Sequence, residues 1–142
     1  MSSEQVEAPQ TQGVWERVRF EDAFSEVFSA VLGPDAVYHI YLELQRYLFS
    51  GSEPIIRSTA EFDIVFSLAR HVLEKIGGLD EAKGIWRAYA ESLKIYIKAI
   101  YMVKNGEKAD YVASEIESAA RLLAGAIESA IEELAAKKCE DP

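Results

Sequence analysis

The chain has 142 residues, 49% of them apolar, and a formal net charge of −9 from 24 acidic and 15 basic side chains. This length predicts one domain with a core of its own, and the acidic balance disfavours a general attraction to nucleic acid. A single cysteine excludes an internal disulfide. No apolar run reaches the roughly 18 residues of a membrane span, and the first residues do not read as a secretory signal. We therefore expect an intracellular (cytoplasmic) protein or a component of a virion.

Two helices are predicted in the first 50 residues, after a flexible N-terminal arm. Residues 1–13 are polar and show no periodicity, which is typical of an arm without a packed face. Apolar residues then recur at helical spacing and predict a first helix over 14–32, which Gly33-Pro34 is expected to end. Because proline is favourable in a first turn, a second helix is predicted from Pro34 to about Ser50.

The third and fourth predicted helices are bounded by capping and turn residues. Ser58-Thr59-Ala60-Glu61 has the order of a capping box, in which the serine and glutamate side chains bond free backbone amides. This motif predicts that the third helix covers 58–76. The fourth helix is predicted over 80–104, with Asp80 as its cap and Asn105-Gly106 closing it.

The fifth predicted helix is long, covering 107–138 and so about 45 Å. Its apolar residues step by 4, 3, 4, 3 and 4, which is the spacing of a heptad seam. The seam residues are Val112, Ile116, Ala119, Leu123, Ala126 and Ala130. Two arrangements stay open: the end of the helix projects and pairs with another subunit, or the helix packs along its own bundle. With a polar tail at 139–142, the sequence predicts an all-α bundle of about five helices, forming one domain over 14–138.

The chain is poor in residues that carry catalysis. Its two histidines, His39 and His71, follow Ala36 and Leu68 by three residues, where a di-iron bundle requires glutamate. A zinc site needs more histidine or cysteine ligands than the chain offers. We expect His39 to be a half-buried packing residue and Asp63 to lie on a solvated face. The sequence therefore predicts no catalytic residue, no metal and no cofactor.

Basic residues form one stripe on the fourth predicted helix, within about a 60° sector away from its apolar face. They are Lys83, Arg87, Lys94 and Lys98. These four side chains are candidate contacts for the phosphates of nucleic acid or for an acidic partner. The alternative is a solvated face with local ion pairs, such as those of Glu91 with Lys94 or Lys98.

Seven tyrosines concentrate on the second and fourth helices and the start of the fifth. A tyrosine buries its ring while its hydroxyl stays in water, and tyrosine is enriched at interfaces between subunits. The candidate interface residues are Tyr38, Tyr41, Tyr47, Tyr101, Tyr111, Val112, Ile116 and Leu123. An ordinary tyrosine-rich core is the competing interpretation.

One stretch of the sequence resembles the major capsid proteins of rod-shaped and filamentous archaeal viruses. It is Ala69-Arg70-His71-Val72-Leu73-Glu74-Lys75-Ile76-Gly77-Gly78, followed by a helix that contains Leu93-Lys94-Ile95-Tyr96. The resemblance implies subunits that dimerise, wrap linear double-stranded DNA and form a helical tube. The scarcity of amides and the abundance of glutamate also resemble thermophile usage.

These observations predict a non-enzymatic helical assembly subunit, in its most specific form a capsid-type protein that coats nucleic acid in an archaeal filamentous virion. The expected partners are a second copy or a related subunit, with double-stranded DNA or RNA on the basic stripe. One alternative is a small α-helical subunit of an archaeal ribonucleoprotein such as a CRISPR effector, and another is a helical protein–protein adaptor. An enzyme or ligand-binding bundle would need a polar pocket.

Overall fold

The computed structural model describes the backbone of residues 21–140 and the side chains of residues 33–139. Over this range the chain forms helices and short turns without a strand, so the all-α prediction is confirmed. The helices are α1 (Glu21–Phe49), α2 (Glu53–Ile76), α3 (Lys83–Lys104) and α4 (Ala109–Glu140), with a 3-10 turn at Asp80–Ala82. The predicted arm at 1–13 and the start of the predicted first helix lie outside the described residues.

The prediction of five helices is wrong, since the described residues form four. Gly33-Pro34 was expected to separate two helices, and two helical segments do meet there, but they are joined across a kink within α1. Gly33 alone leaves the helical conformation, with φ 76° and ψ 168°, angles that glycine adopts without the clash of a Cβ. The fixed φ of Pro34 suits a first helical turn, so the helix resumes at once. The Gly-Pro signal therefore marks a kink inside α1.

The start of α2 also differs from the prediction. The helix begins at Glu53, five residues before the expected capping box, with Pro54 in its first turn. Proline is pre-organised for that position and lacks an amide that would need a partner. Ser58 consequently lies inside the helix, where its Oγ donates to the carbonyl of Ile55 at 3.1 Å. The predicted capping box is not used.

The four helices form a bundle in which α1 and α4 occupy opposite corners. Each of them packs against both α2 and α3. The hydroxyls of Tyr38 and Ser67 lie 2.9 Å apart, which places the middle of α1 beside the middle of α2. The Tyr89 hydroxyl donates to the carbonyl of Pro34 at 3.2 Å.

The directions of the helices follow from these cross-helix contacts. Asp35 bonds Arg70 while Tyr38 bonds Ser67, so α1 and α2 are antiparallel. Pro34 meets Tyr89 and Tyr41 meets Tyr96, so α1 and α3 are parallel. Ser92 Oγ bonds the carbonyl of Ala119, and Glu81 bonds Lys137, so α3 and α4 are antiparallel. The ends of α1 and α3 therefore share one end of the bundle with the beginnings of α2 and α4.

Aromatic rings fill the core between α1, α2 and α3. Among the described residues, five rings are fully buried: those of Tyr41, Phe62, Phe66, Tyr89 and Tyr96. The centroids of Tyr41 and Phe66, and those of Phe66 and Tyr89, are 4.3 Å apart. Such pairs contribute about 0.5–1.5 kcal/mol beyond the burial of their area. This cluster sets the spacing of the three helices and leaves the fourth side of the core to α4.

Helix α4 closes the bundle with small and aliphatic residues. Its predicted seam lies inside the bundle: five of the six residues are buried and Ala126 is half-buried. Farther along, Lys137 Nζ still reaches Glu81 at 3.0 Å. Of the two arrangements left open by the sequence, the structure has the one in which this helix packs along its own bundle. The helix extends into the predicted polar tail as far as Glu140.

Candidate assembly surface

Half of the predicted interface residues belong to the core of the subunit. Tyr41, Val112, Ile116 and Leu123 are fully buried. They cannot lie at the surface of the folded subunit, so their assignment to an interface between subunits is corrected. The physical reason is that α4 brings no large ring to the bundle and lets its aliphatic seam pack directly against α2 and α3.

The remaining interface candidates divide into two groups. Tyr38 and Tyr101 are half-buried. Tyr38 hydrogen-bonds Ser67, and the guanidinium carbon of Arg70 lies 4.5 Å from the centre of its ring. Tyr47 and Tyr111 are exposed. Among the predicted tyrosines, only this second pair is exposed.

Four of the ten exposed large hydrophobic side chains of the described residues lie at one end of the bundle, which we call the aromatic end. They are Tyr47, Phe49, Ile56 and Tyr111, with exposed fractions between 40% and 58%. They come from the end of α1, the start of α2 and the start of α4, which meet at this end. The sequence analysis did not select Phe49 or Ile56, because periodicity does not define a face where one helix stops and the next begins.

Polar contacts close the opposite end of the bundle, which we call the ion-pair end. Its ion pairs are Arg70–Asp35, Arg70–Glu74 and Lys137–Glu81, each at 3.0 Å, and Lys83–Asp80 at 3.6 Å. The indole Nε1 of Trp86 donates to the carbonyl of Gly77 at 2.9 Å. Single exposed ion pairs are weak. The pair of Lys137 with Glu81 and that of Arg70 with Asp35 nevertheless join different elements.

The pKa values of these groups follow from their partners. Partial burial opposes the charge of Arg70, but its bond to Asp35 and the charge of Glu74 outweigh that effect and raise its pKa. The hydrogen bond from Lys137 lowers the pKa of Glu81, and the same bond raises the pKa of Lys137. All three groups therefore stay charged at neutral pH and hold their end of the bundle closed.

The predicted basic stripe is not a continuous cationic surface. Lys83 pairs with Asp80, and the side chain of Lys94 is only 17% exposed and pairs with Glu91 at 3.3 Å. Arg87 and Lys98 are exposed, and no ion pair among the described residues involves them. They are eleven positions apart on α3, or about 16 Å. The Glu91–Lys94 pair is the local contact that the competing interpretation anticipated.

The histidines are at the surface. His39, expected to be half-buried, is exposed on the outer side of α1, and His71 is exposed on α2. A surface pocket of about 350 Å³ is lined by His39, Ile40, Leu42, Glu43 and Arg46, where Arg46 pairs with Glu43 at 3.4 Å. In the described part of the chain, no group of three or more His, Cys, Asp or Glu residues is placed to hold a metal ion.

A small polar cluster lies within the aromatic core. The hydroxyls of Tyr41 and Tyr96 are 3.4 Å apart, and Asp63, expected on a solvated face, is half-buried. Thr59 Oγ1 and Asp63 Oδ1 are buried in the same cluster, next to the Tyr96 and Tyr41 phenols, and neither makes a well-aligned hydrogen bond. Burial, the neighbouring phenol and the charge of Asp63 raise the pKa of Tyr41, and burial likewise raises the pKa of Tyr96. Both phenols stay protonated at neutral pH and act as hydrogen-bonding groups rather than as bases.

Comparison of the chain with models of known families, with curated proteins and with solved structures found no match in any of the three. Within the described residues, no helix is both long and apolar enough to cross a membrane.

Proposed function

We propose that this protein is a non-enzymatic helical assembly subunit, most specifically a capsid-type protein that coats nucleic acid in an archaeal filamentous virion. The observation that carries the proposal is the aromatic end. Four large apolar side chains from three helices are exposed there together. Covering apolar surface contributes about 25 cal/mol per Å², and exposed apolar clusters mark interaction sites. This end is the surface through which the subunit meets another copy or a related subunit.

Tyrosine suits this role better than an aliphatic side chain would. Tyr47 and Tyr111 bury their rings against a partner at a small entropic cost, while their hydroxyls bond water or a partner carbonyl. An isolated subunit with two such rings stays soluble because its net charge of −9 opposes random association. The same charge means that nucleic acid is held by a few placed cations, for which Arg87 and Lys98 are the candidates.

A second candidate function is a small helical subunit of a ribonucleoprotein, such as a CRISPR effector. The exposure of Arg87 and Lys98 on one helix favours it, because two cations about 16 Å apart can contact phosphates several nucleotides apart on one strand. In that case the aromatic end meets a different protein subunit. A helical adaptor would use the aromatic end and neither cation.

Light scattering with the ratio of absorbance at 260 and 280 nm tests the proposal. The full chain is fractionated at increasing concentration, alone, with linear double-stranded DNA and with single-stranded RNA. We expect the mass of the protein alone to grow with concentration. With DNA we expect filaments that are visible by electron microscopy. The double variant Arg87→Glu/Lys98→Glu should abolish these filaments. Binding of RNA without self-association would favour the ribonucleoprotein subunit. A protein that stays monomeric and free of nucleic acid at every concentration would contradict both.

A further inference from the structure

The outer side of α2 carries a second apolar centre, away from the aromatic end. Ile64 is 70% exposed, the largest fraction among the exposed large hydrophobics of the described residues, and Leu68 is 49% exposed. They are four positions apart and therefore adjacent on the helix surface. The opposite side of the same helix is fully engaged, because Phe62 and Phe66 belong to the core.

Charged residues extend this centre into a regular row along α2, which we call the outer seam. Its members are Arg57, Glu61, Ile64, Leu68, His71 and Lys75. They step by 4, 3, 4, 3 and 4, which is the spacing by which helices pair in coiled coils, and all six are exposed. The row spans about 27 Å, and its apolar residues lie at its middle. Isolated exposed aliphatic side chains are ordinary. The packing of the core does not require the exposed residues around Ile64 and Leu68 to follow the spacing of paired helices.

Within the described residues, the charges of the outer seam form no ion pair. None of the ion pairs formed by the described residues involves Arg57, Glu61 or Lys75. The N-terminal half of the seam carries Glu61 beside the apolar centre and Arg57 at its outer end, and the C-terminal half carries His71 beside the centre and Lys75 at its outer end. A partner that fits this surface needs an apolar centre, a basic or hydrogen-bonding side chain opposite Glu61 and a carboxylate opposite His71.

A second copy of the same helix meets this requirement only when it runs antiparallel. A two-fold axis midway between Ile64 and Leu68 places Ile64 opposite Leu68 of the partner subunit. It places Leu68 opposite Ile64 of the partner subunit. It also brings Glu61 level with His71 of the partner subunit and within about one turn of Lys75 of the partner subunit. A parallel pair would instead set each charge against its own copy. Arg57 and Lys75 of the partner subunit repel in the antiparallel pair, but at the solvated periphery, where such repulsion is weak.

We infer that the outer seam pairs antiparallel with the outer seam of a second copy and forms a two-fold dimer. This inference deepens the proposed assembly function and rests on it. Because α2 begins at the aromatic end, antiparallel pairing places the two aromatic ends at opposite poles of the dimer. A closed two-fold contact at the seam combined with a contact at each pole generates an open linear assembly. The dimer is then the repeating unit of a filament.

Single substitutions at exposed positions separate the seam from the poles. In the full chain, Ile64→Asp is expected to raise the dissociation constant of the dimer by roughly tenfold or more. Arg57→Glu is expected to lower it about threefold, because the new carboxylate meets Lys75 of the partner subunit in place of a like charge. In a parallel pair the same change would leave the constant unaltered. Leu122→Asp is the matched control, since Leu122 is exposed on α4 and lies outside the seam.

Disulfide trapping tests the orientation directly. Chains with Cys139→Ser and either Ile64→Cys or Leu68→Cys are mixed and oxidised, and the products are separated by mass. The antiparallel seam gives the mixed disulfide between positions 64 and 68. Disulfides of 64 with 64 and of 68 with 68 would overturn the inference. If assembly depends on Tyr47 and Tyr111 and is unchanged by Ile64→Asp, the seam dimer is overturned and the proposed assembly function stands. If the wild-type protein is monomeric, the proposed assembly function is overturned as well.

Discussion

The two ends of this bundle are closed in opposite ways. At the ion-pair end, Arg70 and Lys137 join different elements through carboxylates, and Trp86 donates to a backbone carbonyl. At the aromatic end, large apolar side chains from three helices remain exposed, and the nearest ion pair, Arg46–Glu43, lies within one helix. Among the described residues, the ion-pair end satisfies its charged groups and exposes one large apolar side chain, Leu79, whereas the aromatic end exposes four. We therefore expect the contacts of the proposed assembly at the aromatic end.

The largest expected effect is the loss of self-association when the aromatic end loses its rings. Tyr47→Ser with Tyr111→Ser is expected to raise the dissociation constant of pole-to-pole association on the order of 100-fold. The thermal midpoint should stay within about 2 °C, because both rings are exposed in the subunit. Sedimentation velocity and thermal denaturation measure the two quantities. Leu122→Ser is the control and should associate as the wild type does. If the double tyrosine variant also associates as the wild type does, the aromatic end is not an interface.

The ion-pair end should respond in stability and not in association. Arg70→Met removes two ion pairs and the cation over the Tyr38 ring. We expect the free energy of unfolding to fall by about 1 kcal/mol, as measured by denaturant titration. Arg46→Met, which breaks an exposed pair within one helix, should change it by less than about 0.5 kcal/mol. If the two variants lose the same free energy of unfolding, the Arg70–Asp35 contact between α1 and α2 adds nothing to stability.

Salt should separate the two ends in a single sample. At about 1 M NaCl the Debye length falls to about 3 Å, so the ion pairs weaken while apolar contacts persist. In the Ile64→Asp background, which removes the seam, we expect stability to fall by a few tenths of a kcal/mol and association to be retained. Light scattering and denaturant titration at two salt concentrations check this. Dissociation at high salt would show that charge, rather than apolar area, holds the poles together.

The smallest expected effect is the pH dependence of the Lys137–Glu81 pair. The pKa of Glu81 is lowered, so its contribution is present above its unfolded pKa and is lost as the pH falls through the folded value. The pKa of Lys137 is raised, so its contribution is present below its unfolded pKa and is lost as the pH rises through the folded value. Compared with wild type, Lys137→Met should therefore lower the thermal midpoint slightly at pH 7 and not at the acidic or alkaline extreme. If the difference in thermal midpoint between Lys137→Met and wild type is the same at acidic, neutral and alkaline pH, the Lys137–Glu81 pair is not its source.

The sequence was sufficient for the fold class because helical periodicity is a local property. The Asn105-Gly106 turn ends α3 as expected, with Gly106 at φ 79°. Gly33-Pro34 marked a real irregularity, but whether it separates two helices or kinks one depends on how quickly the helix resumes. The start of α2 was misplaced because two valid signals competed, and Pro54 outweighed the capping box at Ser58.

The assembly surface was only partly predictable, because periodicity selects a broad stripe and packing then selects part of it. Tyr41 and Tyr47 lie on the same predicted stripe of one helix. The neighbouring rings of Phe62 and Phe66 enclose Tyr41, whereas Tyr47 lies where α1 ends and nothing covers it. Sequence alone does not distinguish these two environments. The outer seam of α2 was readable as a spacing, but the stronger inner stripe of the same helix concealed it.

Hydrogen–deuterium exchange at two protein concentrations tests the central claim most directly, because it observes both ends of the same molecule. The first turns of α2 and α4 have amides without partners inside their helices, and a subunit docked at the aromatic end would slow their exchange. We predict that raising the concentration slows exchange in peptides that cover 47–56 and 109–112 and leaves peptides that cover 77–83 unchanged. Slower exchange at 77–83 without any change at the aromatic end would contradict the account.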